Sequence, residues 1–329
     1  MIKIAIVGVG GVATGNYLPF LNAQQDVEFG YYNRTPKKAE AAAEQFGGKV
    51  YSDLATLAAW QPDLVFVLTN ETSRYEVVKE LLSLGVKRIF CEKPLVAAQG
   101  QAHVSEEDFY RGKELLDLAR QNQCEMAMMF NYRFFDHSLL AKKLVAERQF
   151  GQMIHVAGQV HYACWSHCID LIHHFSGPLD EINAISGTVE RPWEKVSACD
   201  LAAAFHVSNG AVGTLIGTTG MQWQYPLFEL IFTFEKGRIH MRDLDGDLEV
   251  LDGSTQRHER YSATRNTSRW DHYSTSFDKA LVAYLESVNN GAPPLVSGMD
   301  GLRELQVEAA LRRSIAEKRP VRVQEEFAL

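Results

Sequence analysis

At 329 residues the chain is longer than one ordinary domain and fits two. Hydrophobic residues make up 46% and charged residues 22%, enough for a packed core and too apolar for long disorder. A net charge of −8, from 33 Lys and Arg against 41 Asp and Glu, argues against a nucleic-acid partner, which needs a basic face to displace counterions.

The chain opens on Ile2–Val7, a β-branched run that ends in glycines. This apolar start has no separate charged segment and is read as mature protein, not a leader. A helix ends over Leu18 to Gln24, and Val27–Tyr32 is a second strand. Pro36–Phe46 is helical, with Pro36 as its opener. Asp63–Leu68 is a continuous apolar strand of the kind buried on both faces. Tyr75–Leu84 is an amphipathic helix stopped by Gly85, and Arg88–Cys91 is a strand. Met126–Phe130 reads as one more buried strand. Strand–helix alternation at this spacing implies right-handed crossovers and a parallel sheet.

Near residue 130 the pattern changes. Helical Ser138–Arg148 is followed by alternating segments at Met153–Tyr162, Glu181–Glu190, Leu201–Val207, Ala211–Thr219, Leu227–Glu235, Arg238–Arg242 and Leu248–Leu251. Turn signals such as Ser208-Asn209-Gly210 separate them, which predicts a mostly antiparallel sheet. The charged stretch Gln256–Arg269 reads as a solvated loop, long enough for a lid or a partner contact. Two helices, Ser276–Asn289 and Gly301–Lys318, close the chain. The division expected is 1–130 and 131–329. Five cysteines, at 91, 124, 164, 168 and 199, form no disulfide framework and fit a reducing, cytoplasmic setting. No apolar run reaches the roughly 18–20 residues of a membrane helix.

The chemistry begins at Gly8-Val9-Gly10-Gly11-Val12-Ala13, a G-x-G-x-x-A element directly after a strand and before a helix. Gly8 permits a tight turn, Gly10 lets a pyrophosphate approach, and Ala13 keeps helix and strand close. The N–H groups of Gly11 and Val12 belong to the helix start that would face the phosphates. A merely structural glycine turn is the competing reading. About 20 residues further on, an Asp or Glu usually holds the ribose diol of NAD. Asn33 occupies that place here, followed by Arg34, Thr35, Lys37 and Lys38. A neutral amide beside cations accepts a 2′-phosphate that a carboxylate would repel, which favours NADP(H) over NAD(H). A solvated basic helix start is the alternative.

Further along, the runs Leu68-Thr69-Asn70, Arg74-Tyr75-Glu76 and Cys91-Glu92-Lys93-Pro94-Leu95 appear in order. They are joined by Phe130-Asn131-Tyr132-Arg133-Phe134, His167-Cys168-Ile169-Asp170-Leu171 and Glu235-Lys236-Gly237. Together they resemble the Gfo/Idh/MocA family, which groups glucose–fructose oxidoreductase, inositol dehydrogenase and relatives. The resemblance covers essentially the whole chain, and Glu92-Lys93-Pro94 is its most specific element. It implies an α/β chain with an N-terminal Rossmann doubly wound parallel sheet and a C-terminal α+β domain bearing a large, mostly antiparallel open sheet. It also implies a nicotinamide-dependent oxidoreductase of sugars, polyols or related carbonyl compounds, with substrate between the domains, and a homodimer or homotetramer formed through the open sheet. The two alternating faces of Leu227, Phe228, Leu230, Ile231, Phe232 and Phe234 would pack on helices and on a partner. Cofactor contacts fall to Thr69, Asn70, Glu92 and Lys93. Lys93 becomes the group that stabilises the reacting oxygen and passes a proton, while Glu92 orients it. Arg133 is expected near cofactor or substrate, or in a structural ion pair.

The chain departs from the family's D-x-G-x-H-x-x-D segment. With His167 and Asp170 on the final H-x-x-D, Ala163 replaces the Asp and Trp165 the Gly. The Arg74 position is usually His. Three explanations compete. Lys93 and His167 suffice as catalytic groups, with Tyr162 or His161 filling the gap. Alternatively the chain is a nucleotide-binding sensor or accessory protein of reduced activity. The third is a metal site among His161, Cys164, His167, Cys168, His173 and His174, a spacing that matches no standard zinc motif; we expect no metal. Tyr162, Trp165, Asp170 and Arg133 are the expected substrate contacts, with core filling as the alternative for Trp165.

Overall fold

The computed structural model describes residues 2–193, 196–220, 226–263 and 267–329. Part of the Gln256–Arg269 stretch, residues 264–266, therefore lies outside the described residues. The chain divides into two compact units. The first comprises 1–100, 108–130 and 277–302; the second comprises 101–107, 131–276 and 303–329.

The first unit is built on β1 (Ile2–Val7), β2 (Val27–Tyr32), β3 (Lys49–Val50), β4 (Leu64–Val67), β5 (Arg88–Cys91) and β6 (Glu125–Met128). They lie in the order β3-β2-β1-β4-β5-β6, and every pairing is parallel. That is the doubly wound dinucleotide-binding order, whose reversal lies between β1 and β4. β4 is buried along its whole length, as a parallel strand covered on both faces must be. Helices α1 (Leu18–Asn22), α2 (Pro36–Phe46), α3 (Leu54–Ala59) and α4 (Glu71–Ser83) connect the strands. α4 starts four residues earlier than its apolar pattern suggests, because polar Glu71, Thr72 and Ser73 form its first turn. A further helix, α5 (Glu106–Gln121), has no counterpart in the sequence reading. Its inward stripe carries Asp108 and Gly112 among the apolar residues, which breaks the periodicity.

The second unit carries α6 (Asp136–Glu147), β7 (Met153–His161), α7 (Trp165–Ser176), β8 (Leu179–Trp193), β9 (Val196–Val207), β10 (Val212–Thr218), β11 (Phe228–Phe234), β12 (Gly237–Arg242), β13 (Leu248–Asp252), β14 (Arg257–Tyr261) and β15 (Val321–Arg322). The sheet order is β14-β13-β12-β11-β7-β10-β9-β8-β15. All neighbours run antiparallel except β7 and β10. β14 corrects the reading of Gln256–Arg269 as a loop. Arg257-His258-Glu259-Arg260-Tyr261 is an edge strand with little buried surface, so no apolar alternation marks it.

On β11, Phe228, Leu230, Phe232 and Phe234 point to the buried face, and Ile231 lies with Glu229 and Thr233 on the other, so the strand's apolar residues fall on both faces with most of them on the buried one. Exposed apolar residues of this sheet include Ile185 on β8, at 70%, Val212 and Ile216 on β10, at 49% and 44%, Ile154 on β7 and Leu251 on β13.

β7 ends on His161, which is fully buried. Burial pushes its imidazole below the usual histidine range, against an opposing hydrogen bond at Thr219. His137 and His240 shift down too, burial again being the largest cause. A base whose folded pKa is depressed is protonated first in the unfolded chain. Stability therefore falls as pH drops through the unfolded value of about 6.5, and levels off below the folded value. We expect a lower urea midpoint at pH 5.5 than at pH 7.5, and a smaller difference in His161→Gln. An unchanged difference in that variant would remove His161 from the account.

Candidate active site

In the first unit the glycine turn stands at the carboxyl end of β1, beside the loop that leaves β4. Gly8 has φ +95°, a conformation that side chains rarely adopt. A Cβ added there would lie 2.6 Å from the backbone nitrogen of Thr69, so the two loops touch backbone to backbone. At Gly10 and Gly11 an added Cβ meets nothing within 4 Å. The turn is thus closed toward β4 and open on its other side, the form a pyrophosphate cradle requires. A π-turn, Ala13–Tyr17, follows and leads into α1. The Thr69 hydroxyl is buried without a hydrogen-bond partner, and Asn70 is exposed at the start of α4.

Asn33 serves the turn itself. The Val9 N–H donates to its Oδ1 at 2.8 Å, and its Nδ2 donates to the Thr35 carbonyl at 2.9 Å. Arg34, Lys37 and Lys38 are exposed beyond it, and none has an ion-pair partner among the described residues. Val12 is exposed and Ala13 is buried, as the helix-packing role of Ala13 demands.

The Glu92-Lys93-Pro94 turn follows β5, with a cis Lys93–Pro94 peptide. Glu92 accepts from the Tyr17 hydroxyl at 2.6 Å and from the Lys93 backbone N–H at 3.0 Å. Tyr17 is fully buried, edge-on to Phe66, Phe90 and Phe277. Glu92 is therefore a brace for the turn, and Lys93 lies half-buried above it. Arg74 holds the other side: its guanidinium donates to the Pro94 carbonyl and to the Thr69 carbonyl, the latter at 2.6 Å.

The second unit gathers the remaining predicted residues around α7. Arg133 and Asp170 form a two-pronged ion pair with Nε at 2.7 Å from Oδ2, and Asp170 is almost wholly buried. His167 is buried and stacks on Tyr132 with ring centroids 4.1 Å apart and planes 7° from parallel. The Tyr132 hydroxyl donates to Cys164 Sγ at 3.0 Å. Burial pushes the Tyr132 phenol well above its ordinary range. Tyr162 donates to the Cys199 carbonyl at 2.8 Å, and His161 Nδ1 accepts from the Ala163 N–H at 3.1 Å. Trp165 is 1% exposed and meets Tyr162 edge-on. A Cβ on Gly217 would strike both rings, so this glycine makes room for them. Among the described residues no group of three or more His, Cys, Asp or Glu side chains is arranged to hold a metal ion.

The sequence names Arg74 and Tyr132 only as motif residues, with no role attached, and gives no sign of Tyr17. Arg74 had a legible signal, since it occupies the inward stripe of α4 with Val78, Leu81 and Leu82. A cation on an apolar stripe asks for a buried partner. Tyr132 and His167 are 35 positions apart, and nothing local announces their stacking.

Residues 2–130 match the Gfo/Idh/MocA oxidoreductase family's NAD-binding Rossmann fold, and residues 142–323 match its C-terminal alpha/beta domain. Myo-inositol 2-dehydrogenase of Thermotoga maritima is 22% identical over 98% of this chain and 99% of its own length. Glucose-6-phosphate 3-dehydrogenase of Bacillus subtilis is 24% identical over 49% of this chain, and only 42% of its length is matched. Levoglucosan dehydrogenase, solved with NADH and levoglucosan, superposes with a TM-score of 0.80 at 18% identity, over 98% of this chain and 100% of that one.

The two glycines make opposite predictions. Gly8→Ala should cost about 2 kcal/mol of stability or more, from both φ and the clash with Thr69. Gly10→Ala should leave the urea midpoint within about 1 kcal/mol of the parent, yet weaken dinucleotide binding in a fluorescence titration. Equal binding by Gly10→Ala and the parent would show that the open side of the turn is not the cradle.

Proposed function

Because the chain belongs to the Gfo/Idh/MocA oxidoreductase family, we propose that it is an NADP(H)-dependent oxidoreductase of a sugar, polyol or related carbonyl/hydroxyl substrate. The observation that carries this reading is the glycine turn, open at Gly10 and Gly11, set against Thr69, with Arg74 linking Thr69 to the Lys93–Pro94 turn. The cofactor, when bound, supplies the nicotinamide carbon that exchanges hydride with the substrate carbon. Gly8, Gly10, Gly11, Val12, Ala13, Thr69 and Asn70 hold its pyrophosphate and neighbouring groups. Arg34 and Lys38, cations without carboxylate partners, receive a 2′-phosphate beside neutral Asn33. Lys93 donates a hydrogen bond to the reacting oxygen and stabilises its negative charge, and Glu92 holds the backbone that carries it. His167 gives or takes the hydroxyl proton. Arg133, Asp170, Tyr162 and Trp165 shape the substrate's surroundings. A relative bearing the name of an inositol dehydrogenase over nearly its whole length supports the polyol class.

A second reading has its own observation. Ala163 cannot hold a proton, and Asp170 is already committed to Arg133. A nucleotide-binding sensor or accessory protein of little activity would have this arrangement. A cofactor-oxidation screen over sugars and polyols separates the two, with Ala163→Asp as a check for a lost activity.

Lys93→Met should lower kcat at least about a hundredfold and leave the urea midpoint near that of the parent. Unchanged turnover would withdraw Lys93 from catalysis. Asn33→Asp should shift the ratio of NADP to NAD affinity toward NAD, and an unmoved ratio would count against the 2′-phosphate site.

The assembly proposed is a homodimer or homotetramer in the cytoplasm. Exposed Ile185, Val212 and Ile216 stand in register with Ala157, Ala202, Ala204 and Thr214 on one side of the second sheet, interspersed with polar His155, Gln159, Asn183 and His206, and this mixed face is the one proposed to meet the partner. Ile216→Asp should reduce the sedimentation mass to that of a single chain. A parent that already sediments as a single chain would refute the assembly.

A further inference from the structure

We propose that Tyr17 is a positioning residue for the nicotinamide end of the cofactor site. By holding the Glu92 carboxylate, its hydroxyl fixes the Lys93–Pro94 turn to the helix that follows the glycine turn, and so sets how tightly the nicotinamide half of a dinucleotide is bound. The inference rests on the reading above that the glycine turn takes the pyrophosphate and that Lys93 stands at the reacting end.

The Tyr17 ring meets Phe66, Phe90 and Phe277 edge-on, at centroid distances of 5.9, 6.3 and 5.5 Å. A phenylalanine would make the same contacts, so packing asks for the ring and not for the oxygen. The oxygen goes to Glu92 Oε1 at 2.6 Å, the length of a hydroxyl donating to a carboxylate. The winding of the chain agrees. Over Ala13–Tyr17 the helix is a π-turn, closed by the Leu18 N–H on the Ala13 carbonyl five residues back. An α-turn would close four residues back, so one extra residue lies between the glycine turn and α1. Such single turns occur mostly at functional positions of a helix, and Tyr17 is the residue at the end of this one.

Glu92 passes the constraint on. One oxygen takes the Tyr17 hydroxyl and the other takes the Lys93 backbone N–H at 3.0 Å, so a single carboxylate spans from the helix to the turn. The Arg74 charge attracts the same carboxylate. Without the Tyr17 donor, Glu92 is left to rotate toward that guanidinium or toward water, and the Lys93 N–H loses its acceptor. The two ends of a dinucleotide fall on the two segments joined in this way: the pyrophosphate on the helix start beyond Gly10, the nicotinamide beside Lys93. With the turn set beforehand, the nicotinamide half binds without first having to order it. A fragment that lacks the nicotinamide gains nothing from the link.

The test compares each dinucleotide with the same molecule lacking its nicotinamide, by calorimetric titration without substrate: NADPH against 2′-phospho-ADP-ribose, and NADH against ADP-ribose. In the pair it binds better, the parent should hold the dinucleotide at least about tenfold more tightly than the fragment. Tyr17→Phe keeps the ring and removes the hydroxyl. It should cut that advantage at least about fivefold and leave the fragment's affinity near that of the parent. In a Glu92→Gln background Tyr17→Phe should change the advantage no further, because an amide oxygen cannot serve both donors. A further loss there would mean another route and overturns the inference. A displaced helix would weaken dinucleotide and fragment alike, so an advantage unchanged in Tyr17→Phe overturns it too. So does a parent that holds the dinucleotide no more tightly than the fragment, a result that needs no folded variant. In each of these cases the cofactor reading stands. A parent that binds none of the four ligands overturns the cofactor reading, and the inference with it.

Discussion

The backbone of Thr69 fills the space where a side chain at residue 8 would lie. That contact fixes the distance between the first βα turn and the loop after β4 to the thickness of two main chains. It admits only glycine, both for its φ and for its lack of a Cβ. Arg74 then carries the constraint to the loop after β5 through two carbonyls. Tyr17, brought inward by the π-turn that follows the glycines, meets the same loop through Glu92. Three segments far apart in sequence are thus set by one close approach and two polar braces, each anchored in an aromatic or aliphatic core.

The first unit was legible because its signals are local. β1, β2, α2 and β5 have the ends that the apolar runs and punctuating residues imply. Pro36 and the glycines after β1 act within a few residues of themselves. What stayed hidden depends on contacts across the chain. α5 places Asp108 inward because Asp108 accepts the Ala98 N–H ten residues away, so an inward carboxylate interrupts its apolar stripe. β14 has charges on both faces because one edge of it is unpaired, and alternation disappears where neither face is covered. Asn33 was legible as a residue but not in its full role, since the bond from Val9 shows only once β1 and β2 are paired.

In the second unit, sequence spacing brought residues together without revealing how they would be used. His167 and Asp170 do lie on one helix, three apart, as their spacing implies. Yet the carboxylate goes to Arg133 and the imidazole to the face of Tyr132. Both partners come from the short segment Asn131–Phe134, which the motif Asn131-Tyr132-Arg133 marks without indicating what it would meet. Trp165 occupies the core, where Gly217 supplies the space that bulk at position 165 takes up. A large residue at one place and a glycine on a neighbouring element form a pair that only three dimensions disclose.

Two arginines, Arg74 buried and Arg133 half-buried, show what such partners do to a site. Arg133 is matched by Asp170, charge for charge and donor for acceptor, so the pair presents little net field beyond its own contact. Removing either partner would leave an uncompensated charge in a dry place. Arg74 gives two hydrogen bonds to carbonyl oxygens and keeps an unpaired Nε, while its opposing charge comes from Glu92 and Glu71. Hydrogen bonding and charge balance are separate requirements, and here different groups meet them. The Glu92 carboxylate that helps to balance Arg74 is also the one that braces the Lys93 backbone, so charge and shape at this turn depend on the same side chain.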